Sequence, residues 1–115
     1  MAHPIFTIKK RSTFLMVREK GSFTRGKNIN LQILINQDLN NSIGVGYIAT
    51  KKIGKAFKRN KARRIMKELA KKILIKGKIN SYFVLIAKPS LLETPFEELV
   101  RELKDNINEI GRAHV

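Results

Sequence analysis

The residues of this chain that could do chemistry are cations. The stretch from Thr50 to Lys78, TKKIGKAFKRNKARRIMKELAKKILIKGK, holds thirteen of the twenty-four Lys and Arg residues against a single acid, Glu68. Such a segment binds phosphates. Each Lys or Arg that neutralises one releases condensed counterions, so about five to eight contacts give a log–log salt slope of roughly −4 to −7 on a duplex. Crowding this many like charges costs self-repulsion unless a polyanion compensates it. Arg59, Asn60, Lys61, Arg63 and Arg64 cluster near its centre.

Other chemistries are poorly provided for. Cysteine is absent, which excludes disulfides and thiolate metal sites. The two histidines, His3 and His114, sit at the ends of the chain, so neither a histidine-based metal centre nor a Ser/His/Asp set is expected. A two-metal phosphodiesterase needs several converging carboxylates, and the first 88 residues supply only Glu19, Asp38 and Glu68. Gly44-x-Gly46 lacks the third glycine of a dinucleotide fingerprint, and residues 51–55 do not form a nucleotide-binding P-loop motif. The chain reads as a binder with no catalytic residue and no metal site of its own.

The whole composition agrees. A net charge of +15 and a pI near 10.5 point to a polyanion partner, nucleic acid before an anionic membrane. The hydrophobic fraction of 43% fits a folded protein, and the length fits one domain, 1–115. No apolar run approaches the ~18 residues of a membrane span and no signal-peptide core follows the start, so a cytoplasmic location is expected.

The elements that must position the cations can be read from periodicity. Ala62, Ile65, Met66, Leu69 and Ile73 follow the spacing of one helix face, with Asn60, Arg64, Lys67 and Lys71 opposite. This helix starts between Lys55 and Arg59 and stops at Gly77; Phe57 falls on its cationic side if included. Upstream, a short helix from an N-cap at Ser12 runs to Lys20 with Gly21 after it, and Phe23 to Lys27 is a turn. Two strands follow, Asn28–Asn36 and Ile43–Thr50, most simply paired as an antiparallel hairpin. Gly44 and Gly46 leave one face of the second without side chains, open to a bulky partner.

Downstream, Ser81–Ala87 is apolar throughout, as in a strand covered on both faces. Thr94-Pro95-Phe96-Glu97 forms a capping box, and Phe96, Leu99, Val100, Leu103, Ile107 and Ile110 form a stripe closed by Gly111. From Pro89 onward the balance is acidic, three Lys or Arg against six Asp or Glu. The order helix, strand, strand, helix, strand, helix gives an α+β domain, a small mixed sheet with helices packed on it. No helix-turn-helix partner is present, and a sheet with one accessible face suits single-stranded RNA, so RNA is favoured over DNA.

The stretch Lys51-Lys52-Ile53-Gly54-Lys55-Ala56-Phe57-Lys58-Arg59-Asn60-Lys61-Ala62-Arg63-Arg64 resembles the signature of the bacterial ribonuclease P protein subunit. Val45-Gly46-Tyr47-Ile48 resembles the strand before it and Phe83–Pro89 the strand after it. Ile8-Lys9-Lys10 and Phe14-x-x-Val17-x-x-x-Gly21 also match. Lys61 replaces the second Arg of the family's Arg-Asn-Arg, Arg18 stands where many members have an aromatic, and Gln32 where some have tyrosine.

The resemblance implies a sandwich with a left-handed βαβ crossover through the basic helix. It implies a protein that joins a catalytic RNA to remove 5′ leaders from precursor tRNA, with Mg²⁺ bound mainly by that RNA. Lys51, Lys52, Lys55, Lys58, Arg59, Asn60, Lys61, Arg63, Arg64 and Lys67 would then contact RNA. Phe14, Val17, Asn30, Gln32 and Ile48 would line the leader groove. The partners implied are the catalytic RNA and precursor tRNA, with neither a membrane nor a protein partner. The alternative is a structural ribosomal RNA-binding protein without a catalytic role; a membrane-surface protein and a stand-alone nuclease rank below it.

Overall fold

The computed structural model describes residues 4–74 and 79–113. In chain order the elements are β1 (Ile5–Thr7), α1 (Arg11–Lys20), β2 (Ser22–Thr24), β3 (Ile29–Ile35), β4 (Ile43–Ile48), α2 (Ala56–Ile73), β5 (Ser81–Ala87) and α3 (Phe96–Ala113). The strands form one mixed sheet in the order β1-β4-β5-β3-β2. β5 is the central strand, parallel to β4 and antiparallel to β3. Its uniformly apolar sequence is explained by that position, because both of its faces are covered.

The hairpin expected between β3 and β4 does not form. The two strands flank β5, and β3 takes its hairpin partner from the other side, where Ser22 pairs with Ile33 and Thr24 with Leu31. Asn80, just before β5, separates β3 from β4. Its carbonyl accepts from Asn36 N at 2.8 Å, its N–H donates to the Ser42 carbonyl at 2.9 Å, and its Oδ1 accepts from Asn41 N at 2.9 Å. A seven-residue apolar strand gains more by lying in the middle than at an edge, and the connecting loop adapts through left-handed Asn40 and Asn41 (φ 51° and 64°). β1 and β2, three residues each, fall where the sequence reads as irregular chain and turn.

Helices α2 and α3 cover one face of the sheet and α1 the other. The first layer buries Ile29, Leu31, Ile43, Val45, Phe83 and Leu85 against Ala62, Met66, Leu69 and Ala70 of α2 and Leu99 and Leu103 of α3. Burying a side chain such as Met66 or Leu69 is worth about 1.5–3 kcal/mol, enough to seat α2 despite the charge on its outer face. The second layer is smaller: Ile8, Val17 and Val84, with Phe14, Leu34, Ile48, Tyr82 and Ile86 around them. The link β4–α2–β5 joins parallel neighbours, so the basic helix is the crossover of a β-α-β unit.

Several boundaries differ from expectation. α1 begins at Arg11 with Lys10 at its N-cap, so Ser12 is already helical, and Gly21 is extended rather than left-handed. Thr94 does not form a capping box. Its hydroxyl lies 2.8 Å from the Ser90 carbonyl and 3.1 Å from Asn28 Oδ1 instead. α3 continues past Gly111, while the packing of Ile110 and the stop at Gly77 lie outside the described residues.

Candidate nucleic-acid interface

The cationic surface begins where β4 leaves the sheet. Thr50 leads into a turn over Lys51–Ile53, in which Ile53 is buried and Lys51 and Lys52 are exposed. Ile53 thus anchors the turn in the core while the lysines beside it face solvent. Gly54 then takes φ 134°, a region closed to most L-residues, and turns the chain into α2. Within α2, Lys58, Asn60, Lys61, Arg63, Arg64 and Lys67 are exposed, as is Lys55 at its N-cap, and Arg59 is half-buried.

Asn60 and Arg63 are coupled, with Arg63 Nη1 donating to Asn60 Oδ1 at 3.0 Å. Among the described residues, no carboxylate lies within ion-pair distance of these cations. Lys72 is directed away from this surface, over the Phe96 ring at 5.8 Å. The ten residues of the candidate RNA set therefore lie on the turn and around the solvent side of α2, nine of them exposed and Arg59 half-buried.

A groove of about 660 Å³ adjoins this surface, lined by Asn30, Thr50, Lys51, Lys52, Ile86, Ala87, Lys88 and Pro89. Lys51 and Lys52 belong to both, so the groove and the helix form a continuous cationic path. Of the candidate groove residues, Asn30 is in its wall and Ile48 lies one strand beyond Ile86, in the same cross-strand row. Asn30 Oδ1 accepts from Gly26 N at 3.1 Å, which fixes the amide's orientation. Gln32 is half-buried in the next row, between Phe23 and Val84.

Two of the candidates play a different part. Val17 of α1 is fully buried against Val84 and Ile8 and packs on the sheet instead of lining an open surface. Phe14 is half-buried, with its ring lying on Gly46 where a Cβ would overlap it. Gly44 is covered likewise by Phe6 and Tyr82, whose rings meet edge to face at 6.3 Å. The glycines thus admit the protein's own aromatic rings, and the face expected to be bare is partly filled.

Sequence reasoning missed Lys88, Ile86 and Thr50 in the groove. Lys88 was legible only as the end of a strand, yet its Nζ donates to the Gly26 carbonyl at 3.0 Å and ties the β2–β3 turn to the groove. It also missed Phe23, 53% exposed beside Gln32, because that residue reads as part of a turn. Among the described residues, no group of three or more His, Cys, Asp or Glu could hold a metal ion, and no helix is long and apolar enough to cross a membrane.

The family model described as Ribonuclease P matches residues 5–111. A ribonuclease P protein component from Nitratiruptor sp. is 30% identical over 106 residues, covering 92% of this chain and 93% of its own. Another, from Gluconacetobacter diazotrophicus, is 30% identical over 112 residues and 96% of each chain. Among solved structures, the Staphylococcus aureus RNase P protein superposes with a TM-score of 0.78 at 20% identity, over 90% of this chain and 94% of that one. The Thermotoga maritima protein gives 0.73 at 22%, over 87% and 93%. With its basic crossover helix, sheet order and near full-length match, the chain belongs to the ribonuclease P protein family.

Proposed function

We propose that this chain is the protein subunit of a cytoplasmic ribonuclease P and promotes removal of the 5′ leader from precursor tRNA by binding two RNAs at once. The catalytic RNA engages α2 and the turn before it, through Lys51, Lys52, Lys55, Lys58, Arg59, Asn60, Lys61, Arg63, Arg64 and Lys67. The leader lies along the groove of Asn30 and Lys88, toward Gln32 and Ile48. The observation that carries this reading is that Lys51 and Lys52, on the turn that leads into α2, also line the groove. Where two polyanions converge, cations between them lower the repulsion each feels from the other, and part of the Mg²⁺ otherwise needed for screening becomes dispensable. Mg²⁺ is assigned to the RNA. Among the described residues, no group of three or more His, Cys, Asp or Glu could hold a metal ion.

The test is reconstitution with a bacterial ribonuclease P RNA, scoring precursor-tRNA cleavage at low Mg²⁺ with and without the protein. Stimulation is expected. An RNA binder of purely structural role would bind and leave cleavage unchanged, which would overturn the proposal. Arg59→Ala and Arg64→Ala should each weaken RNA binding by about 1–3 kcal/mol, and Arg64→Ala should reduce the salt slope by about 0.7–0.9 with the melting temperature unchanged.

A further inference from the structure

Phe57 is the most exposed large apolar side chain among the described residues. It is 65% exposed, against 53% for Phe23, 45% for Ile35, 42% for Phe6 and 40% for Leu15, the other large apolar side chains exposed among the described residues. It is the second residue of α2, after Ala56. Helical spacing sets Asn60 and Lys61 one turn away on its face and Arg64 two turns away, all exposed, with Lys55 and Lys58 on either side. Full burial of a phenylalanine is worth about 1.5–3 kcal/mol, and at this exposure Phe57 forgoes most of it.

The surroundings identify the occupant. A basic protein is repelled by the cations. An interfacial membrane helix needs a broad apolar face, whereas the apolar face of α2 is turned into the core through Ala62, Met66, Leu69 and Ala70, leaving Phe57 as an isolated ring on the outer side. A lone aromatic ring set among Lys and Arg is how single-stranded nucleic acid is held: cations take the phosphates and the ring takes a base. We propose that Phe57 stacks on an unpaired nucleobase of the RNA whose phosphates bind the α2 cations. The base must be unpaired, because bases within a duplex are already stacked on their neighbours. The inference rests on the RNA-binding role proposed above.

The full-length chain is titrated with a 12-nucleotide oligoadenylate, a 12-base-pair RNA duplex and a bacterial ribonuclease P RNA. Phe57→Ala should weaken oligoadenylate binding about 5- to 100-fold while keeping the salt slope, since no cation is lost. Phe57→Leu should be as weak as Phe57→Ala, and duplex binding should not change. Phe57→Trp should restore affinity, and as the chain has no tryptophan its fluorescence reports the contact directly, by quenching on oligoadenylate. Equal oligoadenylate affinity of Phe57→Ala and wild type, with a steep wild-type salt slope, overturns the stacking role and leaves the RNA-binding role standing. A Phe57→Trp spectrum that shifts blue on phosphatidylglycerol vesicles and is silent to RNA also overturns it. Failure of the wild type to bind any of the three RNAs overturns both.

Discussion

Replacing Glu102 tests how the turn beside the groove is held. Its carboxylate joins α3 to the start of β3: Oε2 accepts from Asn28 N and Ile29 N, both at 2.9 Å, and Oε1 accepts from Asn28 Nδ2 at 2.8 Å. Asn28 is 3% exposed and Ile29 is fully buried, so Glu102→Ala leaves three donors without an acceptor in a poorly hydrated place. At about 1–3 kcal/mol per orphaned donor, reduced because water can enter the space left by the carboxylate, the loss is about 3–5 kcal/mol. That is a large share of a typical stability and corresponds to roughly 12–20 °C in Tm.

Glu102→Gln should behave differently. Its carbonyl oxygen can keep the two backbone donors, and its NH₂ group is accommodated if the Asn28 amide turns over and presents Oδ1. The displaced Nδ2 of Asn28 then donates to the Thr94 hydroxyl, which retains the Ser90 carbonyl as its own acceptor. The cost falls to about 1 kcal/mol. Urea unfolding followed by circular dichroism, at one pH and salt for all variants, measures both losses. Equal destabilisation by Ala and Gln, or less than about 1 kcal/mol for Ala, would refute the hydrogen-bond accounting. Adding Thr94→Val should make Glu102→Gln markedly worse and leave Glu102→Ala nearly as it was.

Three further expectations follow from the same coordinates. Gly46→Ala forces a methyl into the Phe14 ring and should cost about 1–3 kcal/mol, while Gly46→Ala with Phe14→Leu should cost less than the sum of the single changes in a double-mutant cycle. Burial pushes the Tyr47 hydroxyl up from 10.0 to about 12. The folded chain therefore holds this proton more tightly than the unfolded one: the associated stability is intact below pH 10, declines as the pH rises from 10 to about 12, and this decline disappears in Tyr47→Phe when unfolding is followed across that range. Asn80→Ala removes the acceptor for Asn41 N and places alanine at φ 58°, so it should cost about 1–3 kcal/mol, of which Asn80→Gly recovers the backbone part.

The parts of the fold legible in the sequence are those set by local periodicity. The α2 stripe and the apolar run of β5 carry enough residues to define an element, and both form as read; β3 forms as well, but of its apolar residues Ile35 is exposed. The cationic surface was legible for the same reason, since a helix that buries Met66 and Leu69 must expose Arg64 and Lys67. What was not legible depends on contacts distant in sequence. IFT and SFT become strands only because β4 and β3 offer open edges at Ile43–Val45 and Leu31–Ile33. Nearness in sequence favours a β3–β4 hairpin, but the apolar β5 needs two neighbours and takes the place between them. At the turn beside the groove, Lys88 and Glu102 are ordinary surface charges until the fold brings them together, and the rings on Gly44 and Gly46 come from β1, α1 and β5.

The central position of β5 has a consequence for how the molecule comes into being. Residues 81–87 are synthesised after the strands they join, so during translation the cationic helix emerges before the strand that completes its seat. In that interval its mutual repulsion opposes collapse with no finished core to resist it.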